Sequence, residues 1–405
     1  MAPIRILHAS DLHLAHKEKQ RSFPDKFSDG LRRTLREVKQ KTRSKTSLIS
    51  ALGSIWSDLE AMASSYDVSI LKRFAEFVST EVNNKRLDGV ILTGDIATTG
   101  DPKDIDRIDK FFNEPPHPDP ERAFIGRKSR QATLSFISPP DVFLKFFAGN
   151  HDRYVRRRTF GKTRKWKLPL IVRKVFDVGG TEFDRIRFKK DTAPKTRPVE
   201  AFSKEKDLGG GRKLVVWVLM ADFTLKDFDD HEQVFGWLAQ GKVYERALEI
   251  LVDLTERVKA GKDPDKHQCI LWACHFPPQF PNARLHSTLL DGDKLIKAAN
   301  DLGVRAILTG HTHEQTRFSR PGMQTEVICC GTTTQFEPNS RPGGRYENDL
   351  TKGNHFQILN IDVEKGGKIS LTVENYRYTH SQSSGTEDDG MVSGHGIDQT
   401  GWKRI

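Results

Sequence analysis

The sequence predicts an α/β fold, because short apolar strand segments alternate with amphipathic helical segments along most of its 405 residues. Ile70, Phe74, Phe77, Val78 and Val82 stand at i, i+4, i+7, i+8 and i+12, which is the spacing of one buried helix face. Compact apolar runs such as 88–93 (DGVILT) are typical of buried strands. Polar side chains able to bind metal follow several of these strands.

The individual elements follow from the same two periodicities. Strands are predicted at 4–8, 88–93, 142–148, 214–220, 269–273, 305–308, 326–330, 356–363 and 369–378. Helices are predicted at 31–41, 68–83, 104–113, 243–260 and 293–302. Residues 159–211 contain many turn-forming residues and are expected to be irregular, with Gly209, Gly210 and Gly211 forming a hairpin or loop turn rather than a phosphate-binding loop. The polar segment 379–405 is expected to be a flexible tail.

Composition excludes several classes of protein. The longest clean apolar run, Leu214 to Ala221, has eight residues, whereas a membrane-spanning helix needs about 20. Arg5, His8 and Asp11 interrupt any secretory signal at the start of the sequence. The four cysteines contain no C-x-x-C pair, so we expect reduced core thiols in a cytoplasmic protein without a transmembrane segment. The sequence gives no indication of oligomeric state.

Positive charge is concentrated in two segments. Residues 17–45 hold eleven Lys and Arg against four acidic residues, and residues 153–174 hold ten Lys and Arg and no acidic residue. The net charge is +11, so the remainder of the chain is mildly acidic. Such segments either form a solvated surface or attract an anionic partner such as a phosphate ester, a nucleic acid or a lipid headgroup.

Five predicted strands are each followed by side chains of the kind that bind metal ions. Because ligands of α/β proteins gather beyond the carboxyl ends of the strands, we expect these side chains to meet at one edge. In chain order they are Asp11 and His13, Asp95, Asn150 and His151, His275, and His311 and His313.

The types of ligand limit the chemistry. All are nitrogen or oxygen donors, which suits manganese, iron, zinc or cobalt better than a thiolate site would. So many ligands are too many for one ion but suit two ions that share a carboxylate. Two ions roughly 3.5–4 Å apart can bridge and deprotonate a water and hold the oxygens of an in-line displacement. This is the chemistry of phosphate-ester hydrolysis.

These blocks, in this order, resemble the calcineurin-like metallophosphoesterase family. They are Asp11-Leu12-His13, Gly94-Asp95, Gly149-Asn150-His151-Asp152, the single His275, and Gly310-His311-Thr312-His313. The resemblance implies two packed β-sheets flanked by helices, in a domain of residues 1–378 with basic insertions at about 17–47 and 153–212.

The resemblance also implies the role of each site residue. One divalent ion (Mn, Fe or Zn) would be held by Asp11, His13, Asp95 and His313. The second would be held by Asp95, Asn150, His275 and His311, so that Asp95 bridges the two. His151 would act on the phosphate or its leaving group, and Asp152 would orient its neighbours. Arg156, Arg157 and Arg158 are expected to form part of a positive rim that attracts substrate.

The sequence departs from the family pattern at Thr98, where an acidic residue or asparagine is frequent. The protein-phosphatase block G-D-x-V-D-R-G is absent, which argues against phosphoprotein substrates. The opening ILHASDLHL is similar to both the cyclic-nucleotide phosphodiesterase and the DNA-repair exonuclease branches, and His275-Phe276-Pro277-Pro278 favours the first. We therefore expect a phosphoesterase for small or medium esters, with a DNA or RNA exonuclease as the alternative. A non-catalytic scaffold is disfavoured because every ligand position is filled.

Overall fold

A computed structural model describes the protein at residues 3–14, 66–97, 142–147, 149, 152, 199–223, 241–261, 263–281, 287–335, 348–379 and 401–405. Within these ranges the strands form two six-stranded sheets. Sheet one joins, in spatial order, β12 (Trp402–Arg404), β11 (Ile369–Tyr378), β10 (His355–Val363), β1 (Ile4–Ala9), β2 (Gly89–Leu92) and β3 (Phe143–Phe146). Sheet two joins β4 (Val199–Gly209), β5 (Arg212–Ala221), β6 (Lys266–Ala273), β7 (Ala306–Thr309), β9 (Glu326–Cys329) and β8 (Thr316–Ser319).

The two sheets pack face to face, and helices cover their outer faces. Ile6 of sheet one and Leu214 and Leu308 of sheet two belong to one buried apolar cluster between the sheets. The helix α1 (Val68–Asn83) covers sheet one, where the rings of its Phe77 and of Phe356 lie 4.7 Å apart. The helices α2 (Glu245–Ala260) and α3 (Gly292–Asp301) cover sheet two. The predicted fold of two packed sheets flanked by helices is therefore confirmed.

The parallel strands place their carboxyl ends at a common edge. In sheet one, β1 is parallel to β2 and β2 to β3. In sheet two, β5, β6, β7 and β9 are parallel neighbours. The loops that follow β1, β2, β6, β7 and β9 can therefore converge.

Two expectations about irregular segments are wrong for part of their length. Residues 199–209 form β4, which pairs with β5 as an edge strand, and its polar residues from Ser203 to Asp207 are partly or fully exposed. The three glycines at 209–211 make the hairpin turn that was expected, with φ of 78°, 64° and 79°. Residues 402–404 form β12 rather than a flexible tail, because the ring of Trp402 is 1% exposed and packs against Phe74 and Phe356.

The predicted helices at 31–41 and 104–113 lie outside the described residues. Apart from β4 and β12, the strand that the sequence analysis did not predict is β8, a four-residue edge strand. All four cysteines are described, and each is buried and free. No helix of the described ranges combines the length and the apolar character that spanning a bilayer requires.

Candidate metal centre

Six of the predicted ligands are described, and the structure brings them together in two groups. The Asp11 group consists of Asp11, His13 and His313, and the Asp95 group consists of Asp95, His275 and His311. Within each group, one ligand atom from each residue lies within 4.8 Å of the others. Each group combines one carboxylate with two imidazoles, a donor set that fits manganese, iron or zinc.

In the Asp11 group, both histidines present a ring nitrogen to one carboxylate oxygen. Asp11 Oδ1 lies 3.3 Å from Nε2 of His313 and 3.8 Å from Nε2 of His13. The other oxygen, Oδ2, accepts a hydrogen bond of 3.0 Å from the backbone N–H of His311. Burial alone would raise the pKa of Asp11, but the hydrogen bond and charge of His313 hold it at about 2. The carboxylate is therefore ionised and fixed in orientation.

In the Asp95 group, His275 is oriented by a backbone carbonyl. Its Nδ1 donates to the carbonyl oxygen of Thr93 at 2.7 Å, which directs Nε2 to Oδ2 of Asp95 at 3.1 Å. Burial lowers the pKa of His275, but the Asp95 carboxylate outweighs burial and raises it to about 9. Burial, and then the positive charge of His275, lower the pKa of His311 to about 3. The carboxylates of Asp95 and Asp11 favour positive charge at this site, and a divalent cation would supply that charge.

The candidate ligands have an unusual backbone conformation. Among the described residues, seven other than glycine have positive φ, and five of these are candidate ligands: Asp11, His13, Asp95, His311 and His313, with φ between 49° and 67°. Such a conformation is disfavoured for residues with a side chain and concentrates at functional sites. The rest of the fold therefore holds these residues in a backbone conformation that is unfavourable for residues with a side chain.

Glycines allow the ligand loops to approach one another. A Cβ atom on Gly149 would overlap the Asp95 carboxylate, and one on Gly310 would overlap the hydroxyl of Ser10. A Cβ atom on Gly94, which has φ of 97°, would lie 2.7 Å from Nδ1 of His275. The glycines that directly precede Asp95, Asn150 and His311 therefore allow the ligand loops to pack closely.

Asp152 is fully buried and fastens two of the loops. Its carboxylate accepts hydrogen bonds from the N–H groups of Ile96, Ala97 and Gly149 at 3.1, 2.6 and 2.7 Å. Burial, and then the nearby Asp95 carboxylate, raise its pKa to about 7 against these donors. These contacts are those expected of a residue that orients its neighbours.

His8 lies behind the site. Its Nδ1 is 3.2 Å from Oε1 of Gln357, and its Nε2 is 3.1 Å from the hydroxyl of Thr93. Burial lowers the pKa of His8 to about 4, so the ring is neutral. His8 thereby supports the residue whose carbonyl orients His275.

The remaining predicted site residues, Asn150, His151, Arg156, Arg157 and Arg158, lie outside the described residues. Three further residues contact the loop that carries Asp11 but were not predicted as site residues: Thr332, Thr333 and Thr334. The signal was available, because three hydroxyls follow the predicted strand at 326–330 and so lie at the same edge.

Comparison with known proteins identifies one family. A model described as calcineurin-like phosphoesterase matches residues 4–315, which is more than half of the chain. No curated protein matches the sequence. A solved dimetal phosphatase from Danio rerio is similar over 92% of this chain and 96% of its own, with 12% identity and a TM-score of 0.44. GAP50, the anchor in the inner membrane complex of Plasmodium, is similar over 93% of this chain and 85% of its own, with 11% identity and a TM-score of 0.42.

Proposed function

The chain belongs to the calcineurin-like phosphoesterase family, and we propose that it hydrolyses phosphate esters with the aid of two divalent cations. The observation that carries this proposal is the presence of two adjacent groups, each with one buried carboxylate and two imidazoles. Asp11, His13 and His313 would hold one cation, and His275, His311 and Asn150 the other, with Asp95 shared between them. Two cations held in this way activate water and neutralise the charge of a phosphate.

The protein's own groups prepare the site for this reaction. The Thr93 carbonyl fixes the tautomer of His275, so that Nε2 is the nitrogen available to a ligand. Asp11 and His13 are fully buried, whereas the side chain of His313 is 21% exposed. Substrate would therefore approach over the loop of residues 311–314, which is partly exposed throughout.

We assign protonation of the leaving group to His151, because the block Gly149-Asn150-His151-Asp152 resembles that of the family. The side chain of its neighbour Asp152 is anchored beneath the Asp95 loop. His151→Ala should lower kcat about 10²- to 10⁴-fold, the usual contribution of one acid–base group, with the metal content unchanged. The loss should shrink for leaving groups of low pKa, because these need little protonation. An equal loss for all leaving groups would assign His151 to charge stabilisation instead.

Small or medium phosphodiesters or phosphomonoesters are the proposed substrates, and DNA or RNA ends are the alternative. The block His275-Phe276-Pro277-Pro278, which resembles the cyclic-nucleotide phosphodiesterase branch, supports the first class, and the basic segments 17–45 and 153–174 favour the second. The four free thiols fit a cytoplasmic location.

Metal analysis followed by a substrate panel tests the proposal. The panel compares bis-p-nitrophenyl phosphate, p-nitrophenyl phosphate, cyclic nucleotides and DNA ends, each with added Mn²⁺, and parallel assays with Fe²⁺ and Zn²⁺ address the identity of the metal. We expect two metal ions per chain and turnover of at least one ester. A protein that binds two ions and turns over none of these compounds would contradict the enzymatic assignment and favour a scaffold.

A further inference from the structure

The segment that follows β9 runs beside the loop that carries Asp11. We call residues 332–334 the threonine segment and residues 10–13 the Asp11 loop. The hydroxyl of Thr332 donates to the carbonyl oxygen of Asp11 at 2.9 Å, and the hydroxyl of Thr334 donates to that of Leu12 at 2.5 Å. All three threonines are fully buried.

These hydroxyls complete the hydrogen bonding of a strained loop. Asp11 and His13 have φ of 55° and 50°, a conformation that costs about 1–3 kcal/mol per residue and persists only where the surroundings impose it. The N–H groups of Asp11 and His13 donate to the carbonyls of Gly94 and Asp95 at 3.1 and 3.0 Å. The loop is therefore held on one side through its N–H groups and on the other through its carbonyls.

The middle threonine ties the segment both to sheet one and to Ser10 at the start of the Asp11 loop. The hydroxyl of Thr333 donates to the carbonyl of His355 in β10 at 2.9 Å, and its N–H donates to the carbonyl of Ser10. The segment is thus fixed to sheet one, and its two outer hydroxyls project onto the Asp11 loop.

We propose that Thr332 and Thr334 are positioning residues for the cation held by Asp11, His13 and His313. This inference rests on the proposed function. The two hydroxyls hold the Asp11 loop in the left-handed conformation that directs its carboxylate and imidazole to one point. Replacing a threonine by valine keeps its shape and removes only the hydroxyl, so the buried carbonyl loses its partner and the loop relaxes.

The experiment measures metal binding rather than activity. Mn²⁺ is titrated by calorimetry into the metal-free full-length chain, for the wild type and for the double variant Thr332→Val, Thr334→Val. Loss of a group that orients a metal ligand typically weakens binding about 10- to 100-fold. We expect that loss at one of the two sites.

A His275→Ala background and a His13→Ala background identify the affected site. With His275→Ala, the titration reports mainly on the Asp11 group, and the valine pair should weaken Mn²⁺ binding there. With His13→Ala, it reports mainly on the Asp95 group, and the valine pair should leave the affinity nearly unchanged. Equal weakening in both backgrounds would overturn the assignment to the Asp11 group.

Thr325→Val is the matched control. The hydroxyl of Thr325 is also buried and donates to a carbonyl, that of Val304, at 2.7 Å, but neither residue belongs to a ligand loop. This variant should lower thermal stability to a degree similar to that of either single valine variant, Thr332→Val or Thr334→Val, without changing Mn²⁺ affinity. Weakened binding in Thr325→Val would mean that general destabilisation explains the effect, and the inference would fail.

The double substitution Thr332→Ser, Thr334→Ser keeps both hydroxyls and should bind Mn²⁺ with nearly wild-type affinity. If the valine pair does not fold, each single valine variant is compared with its serine counterpart. Serine variants as weak as the valine variants would assign the effect to the methyl groups and overturn the inference. A wild-type chain that binds fewer than two Mn²⁺ ions contradicts the proposed function, whereas two ions with unchanged affinity in the valine variants contradict only the positioning role.

Discussion

The Asp11 loop and the Asp95 loop (residues 94–97) follow parallel neighbouring strands, yet they are fixed in opposite ways. Both carry a carboxylate on a residue of positive φ. The Asp11 loop has its carbonyls held by neutral hydroxyl donors, those of Thr332 and Thr334. The Asp95 loop has its N–H groups held by a carboxyl acceptor, that of Asp152.

This difference places a second buried carboxylate in the support of the Asp95 loop, whereas the support of the Asp11 loop is neutral. Asp152 is close enough to Asp95 for the two carboxylates to repel, whereas the threonines add no charge beside Asp11. A cation held by the Asp95 group would offset that repulsion. We therefore expect the Asp95 loop to reach its full rigidity only with metal bound.

The largest effect is expected from Asp95→Asn, which removes the carboxylate proposed to serve both groups. An amide poorly offsets the repulsion between two divalent cations. Turnover should be abolished and both ions lost, while circular dichroism and the thermal melt of the metal-free chain show an intact fold. Asp11→Asn is the matched comparison and should cost one ion. Near-normal turnover and two ions in Asp95→Asn would contradict the bridging role.

Asp152→Asn should have the next largest effect and should distinguish the Asp95 loop from the Asp11 loop. The amide retains one oxygen for the three N–H donors of Asp152, so the Asp95 loop loosens. We expect Mn²⁺ binding to weaken about 10- to 100-fold, with the change measured in the His13→Ala background. Because the metal-free protein is relieved of one repulsion, its melting temperature should fall less than that of the metal-loaded protein. The same drop in both forms would contradict the charge-based difference between the loops.

The sequence predicts the ligands of the site but not the contacts that support them. The order of ligand blocks and the apolar strands before them are local patterns, so Asp11, Asp95 and His275 could be identified as candidates from sequence. The supporting residues depend on tertiary register. The sequence could place Thr332 at the edge where the ligands meet, but its contact with Asp11 depends on how the end of β9 in sheet two meets the end of β1 in sheet one, which no local periodicity reveals. Trp402 was missed for the same reason, since its burial depends on a three-residue strand at the end of the chain.

Acid should weaken the region that joins the two loops. His8 on β1 contacts Thr93, which precedes the Asp95 loop, and burial lowers its pKa from 6.5 to about 4. At this one ring the unfolded chain binds more protons than the folded chain between those values, so the contribution of His8 to stability rises with pH there and is lost as pH falls from 6.5 to 4. By linkage, this one ring accounts for up to about 3 kcal/mol.

His8→Gln should flatten the dependence of the unfolding free energy on pH over this window, measured by urea denaturation of the metal-free chain. The control is His267→Gln, because His267 lies partly exposed on β6 in the other sheet. That variant makes the same substitution away from both loops. An unchanged slope in His8→Gln would show that the protonation of His8 does not limit acid stability.

The smallest effect is expected from neutralising Arg156, Arg157 and Arg158 together. The chain from Asp152 to Arg156 spans at most ~14 Å, and Asp152 is bonded directly to the Asp95 loop. As part of a positive rim, these arginines would attract anionic substrate without entering the chemical step. The triple glutamine variant should raise KM and weaken its salt dependence while kcat stays nearly constant. A polymeric substrate would give a steep salt dependence and a small ester a shallow one, so the same titration separates the nuclease from the small-ester phosphoesterase. A KM that is unchanged at low salt for every substrate would show that these arginines do not attract substrate, and that no positive rim guides substrate to the Asp95 loop from that side.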